Sequence, residues 1–144
     1  MRALLDINVL IALFDPDHSL HQRAHEWWSG NSGEGWASCP ISENGMIRIM
    51  RNINYSSKER FTPGELIDRL KTFSKNSDHE FWPDELSLLD EKIFNSTSIL
   101  GSKSLTDIYL LALAVENDGR LITFDQKIPT TAVARANGLH ICHL

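Results

Sequence analysis

Signals for strands and helices alternate along this chain, and this alternation constrains the fold more than any other feature. Short apolar runs such as Ala3-Leu4-Leu5 and Leu121-Ile122-Thr123-Phe124 are separated by longer stretches in which apolar residues recur at helical spacing. Such an order is typical of a parallel sheet covered by helices on both faces. We therefore predict an α/β fold, a three-layer α/β/α sandwich with a central, mostly parallel sheet.

Local start and stop signals give the expected elements. Strands are expected over residues 2–5, 36–38, 79–82, 121–124 and 139–144. Helices are expected over residues 8–14, 40–51, 86–95 and 104–116, with a short one ending at 137–138. Two more helices open with capping boxes, Ser19-x-x-Gln22 and Thr62-x-x-Glu65, the second with Pro63 at the first helical position. No internal repeat or linker is visible, so one domain over residues 1–144 is expected.

The composition is that of an ordinary globular protein. The 144 residues are 42% hydrophobic and 23% charged, enough for a substantial core. No apolar run approaches the roughly 20 residues needed to cross a bilayer. The apolar start could mimic a signal peptide, but Asp6 and Asn8 interrupt it. We expect a cytoplasmic protein that does not associate with a membrane.

The net charge is −5, from 14 basic and 19 acidic residues. This balance argues against a protein that binds nucleic acid through a broad positive surface. It does not exclude a nuclease, because bound cations would offset clustered carboxylates locally. Cys39 and Cys142 fit neither a disulfide framework nor a zinc ribbon, and buried free thiols are the favoured interpretation.

Four acidic residues lie where the predicted fold carries side chains to one edge of the sheet. Asp6 and Asp125 follow strands, and Glu43 and Asp107 lie near the starts of two helices. In open parallel sheets, ligands bind beyond the carboxyl ends of the strands, and the first turns of the following helices face the same edge. Ligands that are all oxygen suit Mg²⁺ or Mn²⁺ and not zinc.

Electrostatic repulsion between clustered acids indicates that they bind a cation. Two carboxylates about 5 Å apart repel by roughly 3 kcal/mol at an effective dielectric near 20. Four together would destabilise the fold or raise their own pKa values unless a cation intervenes. Metal held by carboxylates polarises a phosphodiester and lowers the pKa of an attacking water. We therefore predict phosphodiester hydrolysis through metal-bound water, with either one or two ions.

Each acid also has a purely structural interpretation. Asp6 can cap the helix that follows it, and Glu43 is a favourable charge in a first helical turn. Asp107 can be the third residue of a capping box with Ser104, and Asp125 an ordinary turn residue. The joint placement of the four favours a site.

At these residues the chain resembles the PIN-domain family of metal-dependent ribonucleases, and within it the VapC toxins of bacterial toxin–antitoxin pairs. The resemblance runs across nearly the whole chain. The matching segments are Leu4-Leu5-Asp6-Ile7-Asn8-Val9-Leu10, Ile41-Ser42-Glu43-Asn44-Gly45, Leu105-Thr106-Asp107-Ile108-Tyr109 and Thr123-Phe124-Asp125.

The resemblance implies roles for particular residues. Catalysis and metal binding would fall to the four acids, Asp6, Glu43, Asp107 and Asp125, with Asn8 and Thr123 as supporting polar groups. It implies Mg²⁺ or Mn²⁺ as cofactor, RNA as substrate, inhibition by a small VapB-type antitoxin, and a homodimer. Residues 52–84 carry no matching motif, so substrate selection stays open.

Basic and aromatic side chains leave two interpretations open. Some cations could hold RNA phosphates, and solvated surface positions are as good an interpretation for each of them. These residues are Arg48, Arg51, Lys58, Arg60 and Lys103. The four tryptophans could stack on bases, although a place in the core or an interface is favoured; they are Trp27, Trp28, Trp36 and Trp82.

His21 and His25 lie one helical turn apart, a spacing that can bind zinc. No third ligand is evident, so a solvated helix face is the favoured interpretation.

Two rival functions follow from the same acids. A receiver-like signalling domain also gathers carboxylates around Mg²⁺, but it would need a second acid beside Asp6, whose neighbours are Leu5 and Ile7. A catalytically inactive module of the same fold would bind RNA without metal-dependent turnover.

Overall fold

A computed structural model describes residues 1–56 and 61–144. In this part of the chain, one sheet is built from β1 (Ala3–Leu5), β2 (Trp36–Ser38), β3 (His79–Phe81), β4 (Arg120–Thr123) and β5 (Ile141–His143). The strand order is β3-β2-β1-β4-β5, and every pairing is parallel.

The direction of winding reverses at β1. The chain passes from β1 to β2 and β3 on one side, then returns to β4 and β5 on the other. Leu4 pairs with Ala37 of β2 and with Leu121 of β4. The carboxyl ends of β1 and β4 therefore lie side by side at a topological switch point, which is where open α/β sheets bind ligands.

Helices cover both faces of the sheet. They are α1 (Ile7–Phe14), α2 (His21–Asn31), α3 (Pro40–Arg51), α4 (Pro63–Lys75) and α5 (Leu105–Glu116). Apolar side chains of α1 to α4 pack with Ala3 and Leu5 on one face, whereas α5 packs with Leu4 on the other. The predicted α/β/α sandwich is confirmed. None of the helices described is both long enough and apolar enough to span a membrane.

Local sequence explains where several helices begin. Thr62 Oγ1 accepts a hydrogen bond from Glu65 N at 3.1 Å, and Glu65 Oε2 accepts one from Thr62 N at 2.7 Å. This reciprocal pair is the predicted capping box, with Pro63 as the first helical residue. Helix α3 likewise begins at Pro40 and ends at Arg51, as predicted.

The helix predicted over residues 86–95 is wrong. Asp90 Oδ1 accepts from Lys92 N at 2.9 Å, which closes a turn. Phe94 then pairs antiparallel with Val133 and is buried, while Leu89 is 90% exposed. A helix here would need one continuous apolar face against the core, and these residues bury Phe94 through an irregular backbone instead.

Two further predicted features are wrong. Helix α2 begins at His21 with Leu20 as its N-cap, so Ser19 lies one residue too early and the helix has no side-chain cap. The N–H of Leu20 donates to His18 Nδ1 at 3.0 Å. The short helix expected before residue 138 is absent; the described backbone there has only the 3-10 turns Thr130–Ala132 and Gly138–His140. Strand β5 accordingly starts at Ile141, two residues later than predicted.

The histidines of α2 do not form a freely solvated face. His21 Nδ1 lies 2.7 Å from the carbonyl oxygen of Ala12, and His25 Nε2 lies 3.1 Å from that of Leu13. These carbonyls belong to the last turn of α1, where helical partners run out. The two rings therefore join α2 to the end of α1.

The core interpretation of the tryptophans is confirmed. Trp36 and Trp82 are buried, and Trp27 and Trp28 pack half-buried against the core. Cys39 is buried and Cys142 half-buried, and both are free thiols.

Candidate active site

Three of the four predicted acids come together at the switch point. Asp6 follows β1 and is the N-cap of α1. Asp125 lies two residues beyond the end of β4, and Asp107 lies in the first turn of α5. The positions follow from the fold, because β1 and β4 are neighbours and α5 leads into β4.

Asp6 is held on both carboxylate oxygens. Its Oδ1 accepts from Ile7 N at 2.6 Å, and its Oδ2 accepts from Thr123 Oγ1 at 2.8 Å. The side chain is buried, with 4% of the residue exposed. Burial raises the pKa of Asp6, the bonds from Thr123 and Ile7 oppose that rise, and the charge of Asp125 adds to it.

Thr123 links two of the acids. Its buried hydroxyl donates to Asp6 and accepts from the backbone N–H of Asp125 at 3.1 Å. A hydroxyl that has both an acceptor and a donor has its rotation fixed. Thr123 thereby orients the Asp6 carboxylate and the turn that carries Asp125.

The pKa of Asp107 shows the electrostatic coupling of the three carboxylates. Its pKa is raised to about 6 by burial, by the charges of Asp6 and Asp125, and by a hydrogen bond with Asp125. A bond that raises this pKa is one that protonated Asp107 donates to Asp125. Asp107 therefore loses its proton only as the pH rises through about 6, because burial and the neighbouring carboxylates oppose its charge.

The trio fits a divalent cation by its chemistry. All its donors are hard carboxylate oxygens, and their mutual repulsion would be relieved by a cation. They do not form a preformed cage: within residues 1–56 and 61–144, no three or more His, Cys, Asp or Glu side chains are gathered as metal ligands. The metal would be held by carboxylate oxygens of Asp6, Asp107 and Asp125.

Glu43 has hydrogen-bond partners different from those of the trio. Its Oε1 accepts from Ser38 Oγ at 2.6 Å, and Ser38 Oγ also lies 2.8 Å from His79 Nε2. None of the hydrogen bonds described joins Glu43 to Asp6, Asp107 or Asp125. The structure therefore places Glu43 at the end of β2, the strand on the other side of β1.

A cleft is lined by residues adjacent in sequence to three of the acids. Its volume is about 650 Å³, and its walls include Ile7, Asn44 and Thr106. These residues are the chain neighbours of Asp6, Glu43 and Asp107. Arg48 also lines the cleft, so a cation stands in the same cavity.

Gly45 brings α1 and α3 close together beside this cleft. A Cβ atom at position 45 would lie 2.5 Å from Cδ1 of Ile7, nearer than real contacts allow. A larger residue at position 45 would force the Ile7 side chain to move, so glycine allows the close packing of Ile7 against α3.

The remaining predicted residues are exposed or half-buried. Asn8 is exposed on the first turn of α1, and no hydrogen bond described joins it to the three aspartates. Arg48 is exposed, Arg51 is half-buried at the end of α3, and Lys103 is exposed just before α5. Lys58 and Arg60 lie outside the described residues.

Sequence reasoning missed Ser38 and His79. Ser38 had a usable signal, because a hydroxyl residue at the end of β2 mirrors Thr123 at the end of β4. His79 had none, since its contact with Ser38 depends on the pairing of β2 with β3.

Comparisons with known proteins identify the family. The PIN domain family model matches residues 3–134. Ribonuclease VapC44 of Mycobacterium tuberculosis is 45% identical over 144 residues, with all of both chains covered. Ribonuclease VapC39 of the same species is 38% identical over 134 residues, covering 93% of this chain and 96% of that protein.

A solved structure has the same fold. The crystal structure of VapBC2 from Rickettsia felis, bound to a DNA fragment from their promoter, superposes with a TM-score of 0.55. The match covers 88% of this chain and 90% of that chain at 12% identity, which bears on the fold alone. With this architecture, the match over residues 3–134 and the full-length relatives, the chain belongs to the PIN-domain family, among the VapC ribonucleases.

Proposed function

We propose that this chain is a metal-dependent endoribonuclease and the toxin of a VapBC-type pair. The observation that carries the proposal is the coupling of Asp6, Asp107 and Asp125 at the switch point, where the pKa of Asp107 is raised to about 6. Its relatives named as ribonucleases support RNA as the substrate.

In this proposal the three aspartates hold Mg²⁺ or Mn²⁺, and Glu43 supplies a further carboxylate from α3. When bound, such a cation polarises a phosphodiester and lowers the pKa of an attacking water. The choice of these two metals rests on the all-oxygen donor set.

The chain's own residues prepare this chemistry. Thr123 fixes the orientation of Asp6, and the backbone N–H of Ile7 fixes its second oxygen. Asp107 loses its proton above about pH 6 and can then bind a cation instead of donating to Asp125. Arg48, which lines the cleft, would contact an RNA phosphate.

The proposal extends to partners and location. A small VapB-type antitoxin would inhibit the enzyme, the chain would form a homodimer, and residues 1–144 would act as one domain in the cytoplasm. A neighbouring reading frame for a small DNA-binding protein, and its co-purification with this chain, would support the toxin assignment.

The test is cleavage of total cellular RNA by purified protein with Mg²⁺, Mn²⁺ or EDTA, followed by mapping of the cleaved ends. We expect defined cleavage with either metal and none with EDTA. Cleavage that survives EDTA would contradict the metal-dependent mechanism. Binding of RNA without any cleavage would identify a catalytically inactive module instead.

A further inference from the structure

We propose that Ser38 and His79 are positioning residues for Glu43, holding one of its oxygens so that the other is presented to the metal. The inference rests on the proposed function, because it assumes that Glu43 contributes to cation binding. It concerns two residues to which neither the sequence motifs nor the family resemblance gave a role.

Ser38 is built into the end of β2 as a hydrogen-bonding centre. Its side chain is fully buried, and its Oγ lies 2.6 Å from Glu43 Oε1 and 2.8 Å from His79 Nε2. The hydroxyl carries one proton, which goes to the carboxylate because a carboxylate can only accept. His79 Nε2 must therefore be the donor to Ser38. The hydrogen bonds run from His79 to Ser38 and from Ser38 to Glu43.

His79, the first donor in this series of hydrogen bonds, is itself held in place. His79 belongs to β3 and pairs with Trp36 of β2. Its ring centroid lies 4.4 Å from that of Trp36, which is fully buried and donates from Nε1 to Ser77 Oγ at 2.8 Å. A ring packed in this way has few alternative rotamers, so the donor to Ser38 stays in place.

One oxygen of Glu43 is left for a ligand. Oε1 is taken by Ser38, whereas no hydrogen bond among the described residues reaches Oε2. Metal-binding carboxylates are commonly oriented by hydrogen bonds of this kind, and loss of such a partner typically costs 10–100-fold in metal affinity or activity.

A similar hydrogen bond from a hydroxyl to a carboxylate occurs at the end of β4. Thr123 donates to Asp6 from the end of one strand beside β1, and Ser38 donates to Glu43 from the end of the other. Two hydroxyl–carboxylate pairs on the two strands flanking β1 indicate a shared purpose, which is to hold acids at the edge of the sheet.

The test is Mn²⁺ binding to the metal-free, full-length protein, measured by titration calorimetry and by electron paramagnetic resonance of free Mn²⁺. We expect Ser38→Ala to weaken binding about 10–100-fold and Ser38→Thr, which keeps the hydroxyl, to stay near wild type. His79→Phe should weaken binding by a smaller factor, and His79→Gln, which keeps a donor, should restore it. Thermal unfolding of each variant checks that the fold is intact.

A double-mutant cycle separates positioning from general packing. In a Glu43→Gln background, Ser38→Ala should have little further effect on Mn²⁺ affinity, because the group it positions is already lost. Equal effects of Ser38→Ala in both backgrounds, or tighter Mn²⁺ binding by Ser38→Ala, would overturn the inference.

The outcomes also distinguish this inference from the proposed function. If wild type binds Mn²⁺, Asp107→Asn does not, and Ser38→Ala binds like wild type, the positioning role is wrong and the metal site stands. If wild type binds no Mn²⁺, the proposed function fails and this inference with it. Should Ser38→Ala fail to fold, the pair His79→Phe and His79→Gln decides the question, and equal affinities would contradict it.

Discussion

The trio of Asp6, Asp107 and Asp125 and the single carboxylate of Glu43 lie at the same edge of the sheet but are held in different ways. The three aspartates interact with one another, and burial together with their repulsion raises the pKa of Asp107 to about 6. Glu43 faces the uncharged hydroxyl of Ser38 instead. A cation would relieve the first arrangement, whereas the second fixes an orientation.

This difference indicates different roles in metal binding for the aspartate trio and for Glu43. Crowded like charges favour binding of a cation, because the cation removes an unfavourable interaction already present in the fold. A carboxylate held by a neutral donor stays oriented whether or not a cation is bound. We infer that the trio supplies most of the metal affinity and Glu43 completes the geometry.

The largest expected effect tests the trio. Asp107→Asn should reduce RNA cleavage by ~10³-fold or more, because a metal site contributes several kcal/mol to transition-state stabilisation. Asp118→Asn, an exposed site just beyond the other end of α5, is the matched control and should cleave like wild type. Normal cleavage by folded Asp107→Asn would remove this residue from the mechanism.

The next effect tests how the trio is oriented. Thr123→Ala should weaken Mn²⁺ binding about 10–100-fold, since Asp6 loses the donor to its Oδ2. Thr123→Ser keeps the hydroxyl and should bind nearly as wild type. Calorimetric titration of the three proteins compares them, and identical affinities would show that Asp6 needs no such support.

The packing of α1 against α3 beside the cleft can be changed through Gly45. Gly45→Ala should destabilise the fold by about 1–3 kcal/mol, because the new methyl group would overlap Ile7. Ile7→Val in the same protein should recover part of that loss. Gly64→Ala on α4 is the control, since the nearest atom to its added Cβ would be 3.9 Å away. Urea unfolding measures all of them, and an unaffected Gly45→Ala would mean that the Ile7 side chain moves aside at little cost.

The smallest effect concerns the charge of the metal-free trio. Because the folded pKa of Asp107 is raised from 3.8 to about 6, its contribution to stability is present below pH 3.8 and is lost as the pH rises through 6. Asp107→Asn has no carboxyl group to ionise and so avoids this loss. The free energy of unfolding of the variant, relative to that of wild type, should therefore increase as the pH rises from 3.8 through 6. The gain should be on the order of 1 kcal/mol above pH 6, reduced by the partial exposure of the side chain.

Urea unfolding in EDTA at several pH values measures the gain. A stability difference that is constant between pH 4 and pH 7 would contradict the coupling of Asp107 to its neighbours.

Much of the fold could be predicted from signals between residues that are close in sequence. Pro40 and the Thr62–Glu65 pair defined the starts of α3 and α4, because capping depends on neighbours in sequence. The irregular region before α5 could not be read in this way. There Phe94 pairs with Val133, far along the chain, and that contact overrides the helical preference of the leucines before it.

The site was predictable to the extent that strand ends define it. Asp6 and Asp125 follow two strands of a parallel sheet, whose carboxyl ends meet at one edge, and Asp107 lies at the start of α5. The separate bonding of Glu43 was not predictable, because it depends on His79, which reaches Ser38 only through the register of β2 and β3.

The most direct measurement is anomalous diffraction from crystals of the protein soaked in manganese. We expect an anomalous peak within coordination distance of carboxylate oxygens of Asp6, Asp107 and Asp125, and its loss in crystals of Asp107→Asn. Well-ordered crystals with no peak among these three side chains, or with a peak only elsewhere, would contradict the proposal that they form a metal site.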